Sequence, residues 1–238
     1  MSKQSNVDQA EIEKFSAMAQ RWWDPDGDSR PLHDINPLRV GFIADHVNLV
    51  GASVVDVGCG GGLLSEALAE RGAHVTGVDM AEASLKVAKL HGLESGHKVE
   101  YRQATAEELA EELPGRFDAV CCLEMLEHVP EPASVVAACA RLAKPGAPIF
   151  FSTINRNARS FFGAIVAAEY LLGLLPRGTH EYNRLIRPSE LGHWAREAGL
   201  DVESITGLHY LPWVRRAWLA DDVGINYMMV CRKPAESS

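Results

Sequence analysis

Asp56-Val-Gly58-Cys-Gly60-Gly61-Gly62 places an acid two residues ahead of a run of closely spaced glycines, and a second acid, Asp79, follows further on. Glycines in such a loop let a ligand approach the backbone and leave amide groups free to point at it. An acid at the tip of a neighbouring strand can accept bonds from both hydroxyls of a ribose. The pattern therefore points to a nucleoside cofactor. A dinucleotide fingerprint begun at Gly58 needs glycine where Leu63 stands, and the lysine signature of a P-loop is absent. Asp56 would repel a pyrophosphate but suits a cationic amine or a sulfonium. The loop thus favours S-adenosylmethionine over NAD. The competing reading is a glycine-rich turn with no ligand.

A second constellation is Glu124, Glu127 and His128, at i, i+3 and i+4. If that segment is helical, the three side chains share one face. Two carboxylates and an imidazole could then hold a divalent ion such as Mg²⁺. The rival readings are His128 as a direct general base, and a histidine that only packs.

These residues need a scaffold, and the chain supplies strand–helix alternation. Val54–Val57 reads as a short buried strand running into the glycine loop, and a helix through Leu63, Leu64, Ala67 and Leu68 stops at Gly72. Further strands are expected at 75–78, 99–102, 117–123 and 149–153, with helices at 81–91, 105–112 and 132–143 between them. Apolar strands separated by helices imply a parallel sheet covered on both faces, wound right-handedly. Before this core, 8–23 and 36–46 read as helices, and Asp24-Pro-Asp-Gly-Asp28 breaks the chain as a solvated turn. Its glycine falls at the wrong position for a calcium loop. After the core, 188–198 reads as a helix and 201–206 and 226–232 as closing strands. The expected fold is α/β and doubly wound, with a mostly parallel seven-stranded sheet. It forms a single domain over 1–238, with a helical extension over about 1–48 and an apolar insertion over about 156–187.

Composition narrows the function classes. The chain has 238 residues, 47% of them hydrophobic, and a formal net charge of −9, which disfavours a nucleic-acid partner. The segment after the fourth strand, Leu123-Glu-Met-Leu126, also lacks the Asn/Asp-Pro-Pro-aromatic motif of nucleic-acid methylation. Its five cysteines are odd in number and have no C-x-x-C spacing, so neither a disulfide framework nor a zinc site is expected. Adjacent Cys121 and Cys122 could suggest thiol–metalloid methylation, but they lie in an apolar strand and read as buried. No secretory signal and no membrane-spanning run is seen, and a cytoplasmic setting is the expectation.

Residues 50–155 resemble the class I S-adenosylmethionine-dependent methyltransferases. That resemblance implies that Gly58–Gly62 hold the methionine part, Asp79 the ribose, and Leu123 one wall of the cofactor pocket. The acid often found near the adenine is replaced here by Thr105. The flanks narrow the match. Arg21-Trp-Trp-Asp24, Pro31-Leu-His33, Ile35-Asn-Pro-Leu-Arg39, Lys89–Gly96, Glu124–Pro130 and Gly207-Leu-His-Tyr210 together resemble the UbiG-type ubiquinone-biosynthesis O-methyltransferases. This implies O-methylation of a 2-polyprenyl-6-hydroxyphenol and of 3-demethylubiquinol, with Arg39 reaching the cofactor. A guanidinium suits the methionine carboxylate. A metal chelated by adjacent ring oxygens would lower the phenol pKa, which gives Glu124, Glu127 and His128 a purpose. Other enzymes of the same biosynthesis could be partners.

Phe161–Leu175 is apolar but for Glu169, with Arg156 and Arg159 before it and Arg177 after. It is too short to span a bilayer. It could lie as an interfacial helix against anionic lipid, or pack as a lid. Tyr210, Trp213, Arg215, Arg216 and Trp218 could extend that surface or be ordinary helix packing. Two other functions stay open: methylation of another small acceptor, including carbon on a quinone ring, and a non-catalytic cofactor-binding scaffold.

Overall fold

The computed structural model describes residues 6–157 and 182–235. Eight strands form one sheet: β1 (Ser53–Val57), β2 (His74–Asp79), β3 (Val99–Gln103), β4 (Ala119–Leu123), β5 (Pro148–Ile154), β6 (Asp201–Leu211), β7 (Arg216–Ala220) and β8 (Asn226–Arg232). Their spatial order is β3-β2-β1-β4-β5-β8-β6-β7. The first five are parallel, while β8 pairs antiparallel with both β5 and β6, and β7 antiparallel with β6. The sheet has one strand more than expected. The addition is β7: a strand is expected over 201–206 only, but β6 runs on to Leu211. Residues 210–218, which also read as helix packing, instead turn back so that Leu208 pairs with Leu219 and Tyr210 with Ala217.

Seven described helices are α1 (Gln9–Met18), α2 (Arg30–Ala44), α3 (Leu63–Glu70), α4 (Glu82–Ser95), α5 (Ala106–Glu112), α6 (Pro132–Leu142) and α7 (Pro188–Glu197). Side-chain alternation along the strands feeds two cores. Val54, Cys121 and Phe150 join Val40, Ile43 and Leu68 on one face. Val55, Cys122 and Phe151 join Phe117, Leu126 and Val136 on the other. Doubly buried strands of this kind explain why they read as continuous apolar runs. All five cysteines are buried with no disulfide; burial raises the Cys121 thiol, and a hydrogen bond with Cys139, then burial, raises Cys122, which disfavours their reactive thiolates.

The N-terminal elements differ from expectation in their bounds. Asp8 caps α1 by accepting from Ala10 and Glu11 N–H, and the helix ends at Met18 in a short 3₁₀ turn. Helix α2 begins at Arg30, so Pro31 supplies the early proline and Pro37 stands inside the helix rather than at its start. Thr105, at the expected adenine-acid position, caps α5: it accepts from Glu108 N–H at 3.1 Å while Glu108 accepts from Thr105 N–H at 2.9 Å.

The apolar insertion over 158–176, with Arg159 and Arg177, lies outside the described residues. Arg156 is described, and it pairs with Glu190 and donates to Asn183 O at 3.2 Å, so it does not stand free for a headgroup. No helix of the described residues is long and apolar enough to cross a membrane.

Candidate active site

The chain leaves β1 outward to β3, then returns beside β1 as β4, so the sheet's switch point lies between β1 and β4. In open α/β sheets ligands bind at the carboxyl ends of the strands at this point. Two segments emerge there, the glycine loop after β1 and residues 124–128 after β4. They touch: a Cβ added at Gly58, whose φ is +74°, would lie 2.4 Å from Met125 Cγ.

The loop is held from several sides. Asp79, at the tip of β2, accepts from Gly60 N–H at 2.9 Å and from Ala81 N–H at 2.7 Å. Burial raises its carboxyl, and those backbone donors counter the rise. Asp56 lies beneath the loop, where Ser65 donates to it at 2.6 Å. Burial pushes the Asp56 carboxyl up to about 6. Trp22 covers the loop: Cβ atoms at Gly60 and Gly61 would meet its ring at 2.6 and 2.3 Å. Trp23 donates its indole N–H to Gly61 O at 2.9 Å and stacks on His91 at 3.4 Å between ring centroids. His91 in turn bonds the buried Glu66. Several of these glycines are thus required by the protein's own packing.

Helix α2 delivers Arg39 and Asn36. Asn36 donates to Leu63 O at 3.1 Å, fixing α2 to the start of α3. Arg39 donates to Glu124 at 2.8 Å. The buried Arg39 Nε and Asn36 Oδ1 have no partner. A buried unsatisfied polar atom costs about 1–3 kcal/mol, so such atoms at a ligand edge call for one. The spare donor of Arg39 fits a carboxylate, and the half-exposed Asp79 carboxylate fits vicinal hydroxyls. The residues present therefore fit S-adenosylmethionine. Leu123, buried at the end of β4, directly precedes Glu124.

The acid–histidine segment is not the expected α-helix. Glu124 takes a left-handed φ of +53°, and only Leu126–His128 form a short 3₁₀ turn. The three side chains accordingly do not share one helical face. Glu124 accepts from Arg39, from Ser152 Oγ at 2.8 Å and from Asn226 Nδ2 at 3.1 Å. Glu127 is buried and accepts from Thr153 Oγ1 at 2.9 Å, while its other oxygen has no partner. Burial, then the neighbouring Glu124 charge, pushes Glu127 up to about 7. His128 meets Glu11 of α1, with Nδ1 and Oε2 2.7 Å apart. Among the described residues no three acid, histidine or cysteine side chains converge as a metal site. This arrangement does not fit Mg²⁺, and no step below uses one. Glu11, Trp22, Asn36, Ser152, Thr153 and Asn226 were not expected as site residues from the sequence. Trp22 and Asn36 lie in segments that carry the family resemblance, and the other four gave no signal.

A glycine loop tied to a carboxylate at the next strand tip, on a doubly wound sheet, defines an enzyme that takes a nucleoside cofactor. The family model for the methyltransferase domain matches residues 35–205. Solved structures agree on the fold. Magnesium protoporphyrin IX methyltransferase from Synechocystis PCC 6803 with bound S-adenosylmethionine has a TM-score of 0.66 at 18% identity, covering 97% of this chain and 100% of that one. A putative methyltransferase from Bacillus halodurans C-125 has a TM-score of 0.62 at 21% identity, covering 83% and 98%. The ubiquinone biosynthesis O-methyltransferase of Pseudomonas aeruginosa (strain UCBPP-PA14) is 61% identical over 231 residues, 97% of this chain and 100% of that protein. The protein of that name from Pseudomonas syringae pv. tomato (strain ATCC BAA-871 / DC3000) is 63% identical over 225 residues, 94% of this chain and 97% of its own length. The chain belongs to the ubiquinone biosynthesis O-methyltransferase family, and it is an S-adenosylmethionine-dependent O-methyltransferase.

Proposed function

We propose that this chain methylates a phenolic oxygen of polyprenylated rings, 2-polyprenyl-6-hydroxyphenol and 3-demethylubiquinol, using His128 as general base. The observation that carries the reading is the packing of Met125 on Gly58, which sets residues 124–128 directly against the cofactor loop. When bound, S-adenosylmethionine supplies a methyl group on an electrophilic sulfonium. Arg39 receives its carboxylate, Asp79 its ribose, and Leu123 lines its pocket. Gly58, Gly60 and Gly62 form its bed, and Asp56 places negative charge beneath the positive sulfur. His128 takes the phenolic proton; the oxygen then forms its bond to carbon as the carbon–sulfur bond breaks. Glu124 and Glu127 form the polar wall beside the acceptor, with burial, then the Glu124 charge, favouring the proton on Glu127.

A polyprenyl substrate resides in lipid, so the enzyme works from the cytoplasm at an anionic membrane surface, alongside other enzymes of the same biosynthesis. The turn between β6 and β7 supports this placement. It lies at the sheet edge that carries the cofactor loop, and Trp213 and Val214 there are 69% and 59% exposed. Tryptophan favours the lipid–water interface.

The test is methyl transfer from labelled S-adenosylmethionine to a short-tailed demethylubiquinol, with Mg²⁺ and with EDTA. Turnover that survives EDTA and fails in His128→Gln is the expected result. Turnover abolished by EDTA and restored by Mg²⁺ would restore the metal role to Glu124, Glu127 and His128. Tight cofactor binding with no turnover would point to another acceptor or to a scaffold.

A further inference from the structure

We infer that Glu11, on the N-terminal helix and far from the cofactor motifs in sequence, is a positioning residue that fixes the tautomer and orientation of His128. The inference rests on the reading of His128 as the base. Glu11 Oε2 lies 2.7 Å from His128 Nδ1, and the two side chains are 19% and 13% exposed. The hydrogen bond from His128 holds the Glu11 carboxyl below its ordinary value, so the carboxylate is the acceptor. Nδ1 must then carry the hydrogen, and Nε2 is the basic nitrogen. One turn along α1, Phe15 meets the imidazole edge-on, with ring centroids 5.0 Å apart at 87°. Carboxylate and phenyl, at i and i+4, thus hold the ring from one helix face.

The helix that carries them is itself fastened around the site. Asn6 donates to Glu131 O and accepts from Glu131 N–H, both at 2.9 Å. Asp8 accepts from Arg184 at 2.7 Å. A carboxylate so fixed does two things. It holds the Nδ1 hydrogen, which leaves Nε2 as the basic nitrogen, and it stabilises the imidazolium formed when the phenolic proton moves to Nε2. The proton ends on Nε2, the oxygen carries the electron pair into the new O–C bond, and the carbon–sulfur pair stays on sulfur as a neutral thioether. No further reactant is needed.

Three full-length variants test this, assayed with a plain short-tailed catechol and with its nitro-substituted counterpart. The nitro phenol is already ionised near neutral pH and needs no base. Glu11→Ala should lower kcat on the plain catechol by on the order of 10- to 100-fold, with little change in cofactor KM. On the nitro catechol the loss should stay below about threefold, because no proton has to be taken. Glu11→Asp should recover part of the rate. Asp8→Ala, which only loosens the helix, should cost both acceptors equally. Histidine-labelled protein gives a readout apart from activity. The ¹⁵N ring spectrum of His128, assigned by its loss in His128→Gln, should show hydrogen on Nδ1, and Glu11→Ala should move it towards Nε2. Equal losses on both acceptors in Glu11→Ala, or an unchanged tautomer, would overturn the inference. If His128→Gln keeps full rate, the base itself is wrong. If His128→Gln fails while Glu11→Ala is unaffected, only the Glu11 role falls.

Discussion

Arg39 and Glu124, 85 positions apart in the chain, form an ion pair at 2.8 Å that joins helix α2 to the residue after β4. Their side chains are 6% and 18% exposed, so the pair is largely withdrawn from water. Removing one partner of such a pair strands the other and costs about 3–5 kcal/mol, whereas removing both costs much less. Arg39→Ala should therefore lower both thermal stability and cofactor affinity. Arg39→Ala combined with Glu124→Gln should recover most of the melting temperature and none of the affinity. Differential scanning calorimetry and titration calorimetry on the two proteins separate the roles. Recovery of affinity in the double variant would remove Arg39 from the cofactor contacts.

Asp56 should make cofactor binding depend on pH. In the free protein burial raises its carboxyl from 3.8 to about 6. A raised folded-state pKa contributes stability below the unfolded value, and that contribution is lost as pH rises through about 6. A sulfonium above the loop favours the ionised carboxylate, so binding expels a proton. Affinity should tighten between about pH 5 and pH 7, with a buffer-dependent binding enthalpy. Asp56→Asn keeps an acceptor for Ser65 but should flatten this pH dependence and gain stability relative to the parent above pH 6. An unchanged pH profile would place Asp56 in a purely structural role.

The loop, its acid and the doubly wound core were legible because each follows from a local rule. Glycines mark tight turns, apolar runs mark doubly buried strands, and Asp79 follows its strand directly. Arg39 was singled out only through resemblance, since one arginine on a helix carries no signal of its own. The face shared by Glu124, Glu127 and His128 was misread because helical spacing was assumed. Glu124 instead adopts a left-handed turn to accept from Arg39, Ser152 and Asn226, three partners distant in sequence. The pairing of β6 with β7 was hidden for a related reason: the aromatic and basic residues of 210–218 fit a helix face as readily as a strand, and the hairpin is held by contacts with distant elements. Arg215, for example, bonds Asp34 and Asp26 around α2.

That same clamp gives an acid-dependent stability. Asp34 accepts from Tyr210 at 2.5 Å and from Arg215 at 2.8 Å. Burial works to raise its carboxyl, but the two donors outweigh it and hold it below the ordinary value. A depressed pKa contributes stability above the unfolded value that is lost as pH falls through the folded one. Arg215→Ala should lower the melting temperature at neutral pH, and the gap to the parent should close on acidification. Arg215 is itself well exposed, so added salt should shrink the gap as well. Equal melting temperatures at neutral pH would show that the hairpin docks without the clamp.

Trp22 links the N-terminal region to the cofactor loop by direct contact. Its ring occupies the space a side chain at Gly61 would need: an added Cβ would lie 2.3 Å from Trp22 Cδ1. Gly61 itself shows no left-handed φ, so alanine there meets a packing obstacle rather than a backbone one. Overpacking of this kind costs about 1–3 kcal/mol. Gly61→Ala should displace the indole, lower the melting temperature and weaken cofactor binding. Trp22→Ala should weaken binding too, by uncovering the loop. In Gly61→Ala with Trp22→Ala the clash no longer exists, so the stability losses should fall well short of additive. Residues in contact show coupling of about 0.5–3 kcal/mol in such a cycle. Strict additivity would mean that the two residues do not touch in solution, and the N-terminal region would then lose its claim on the loop.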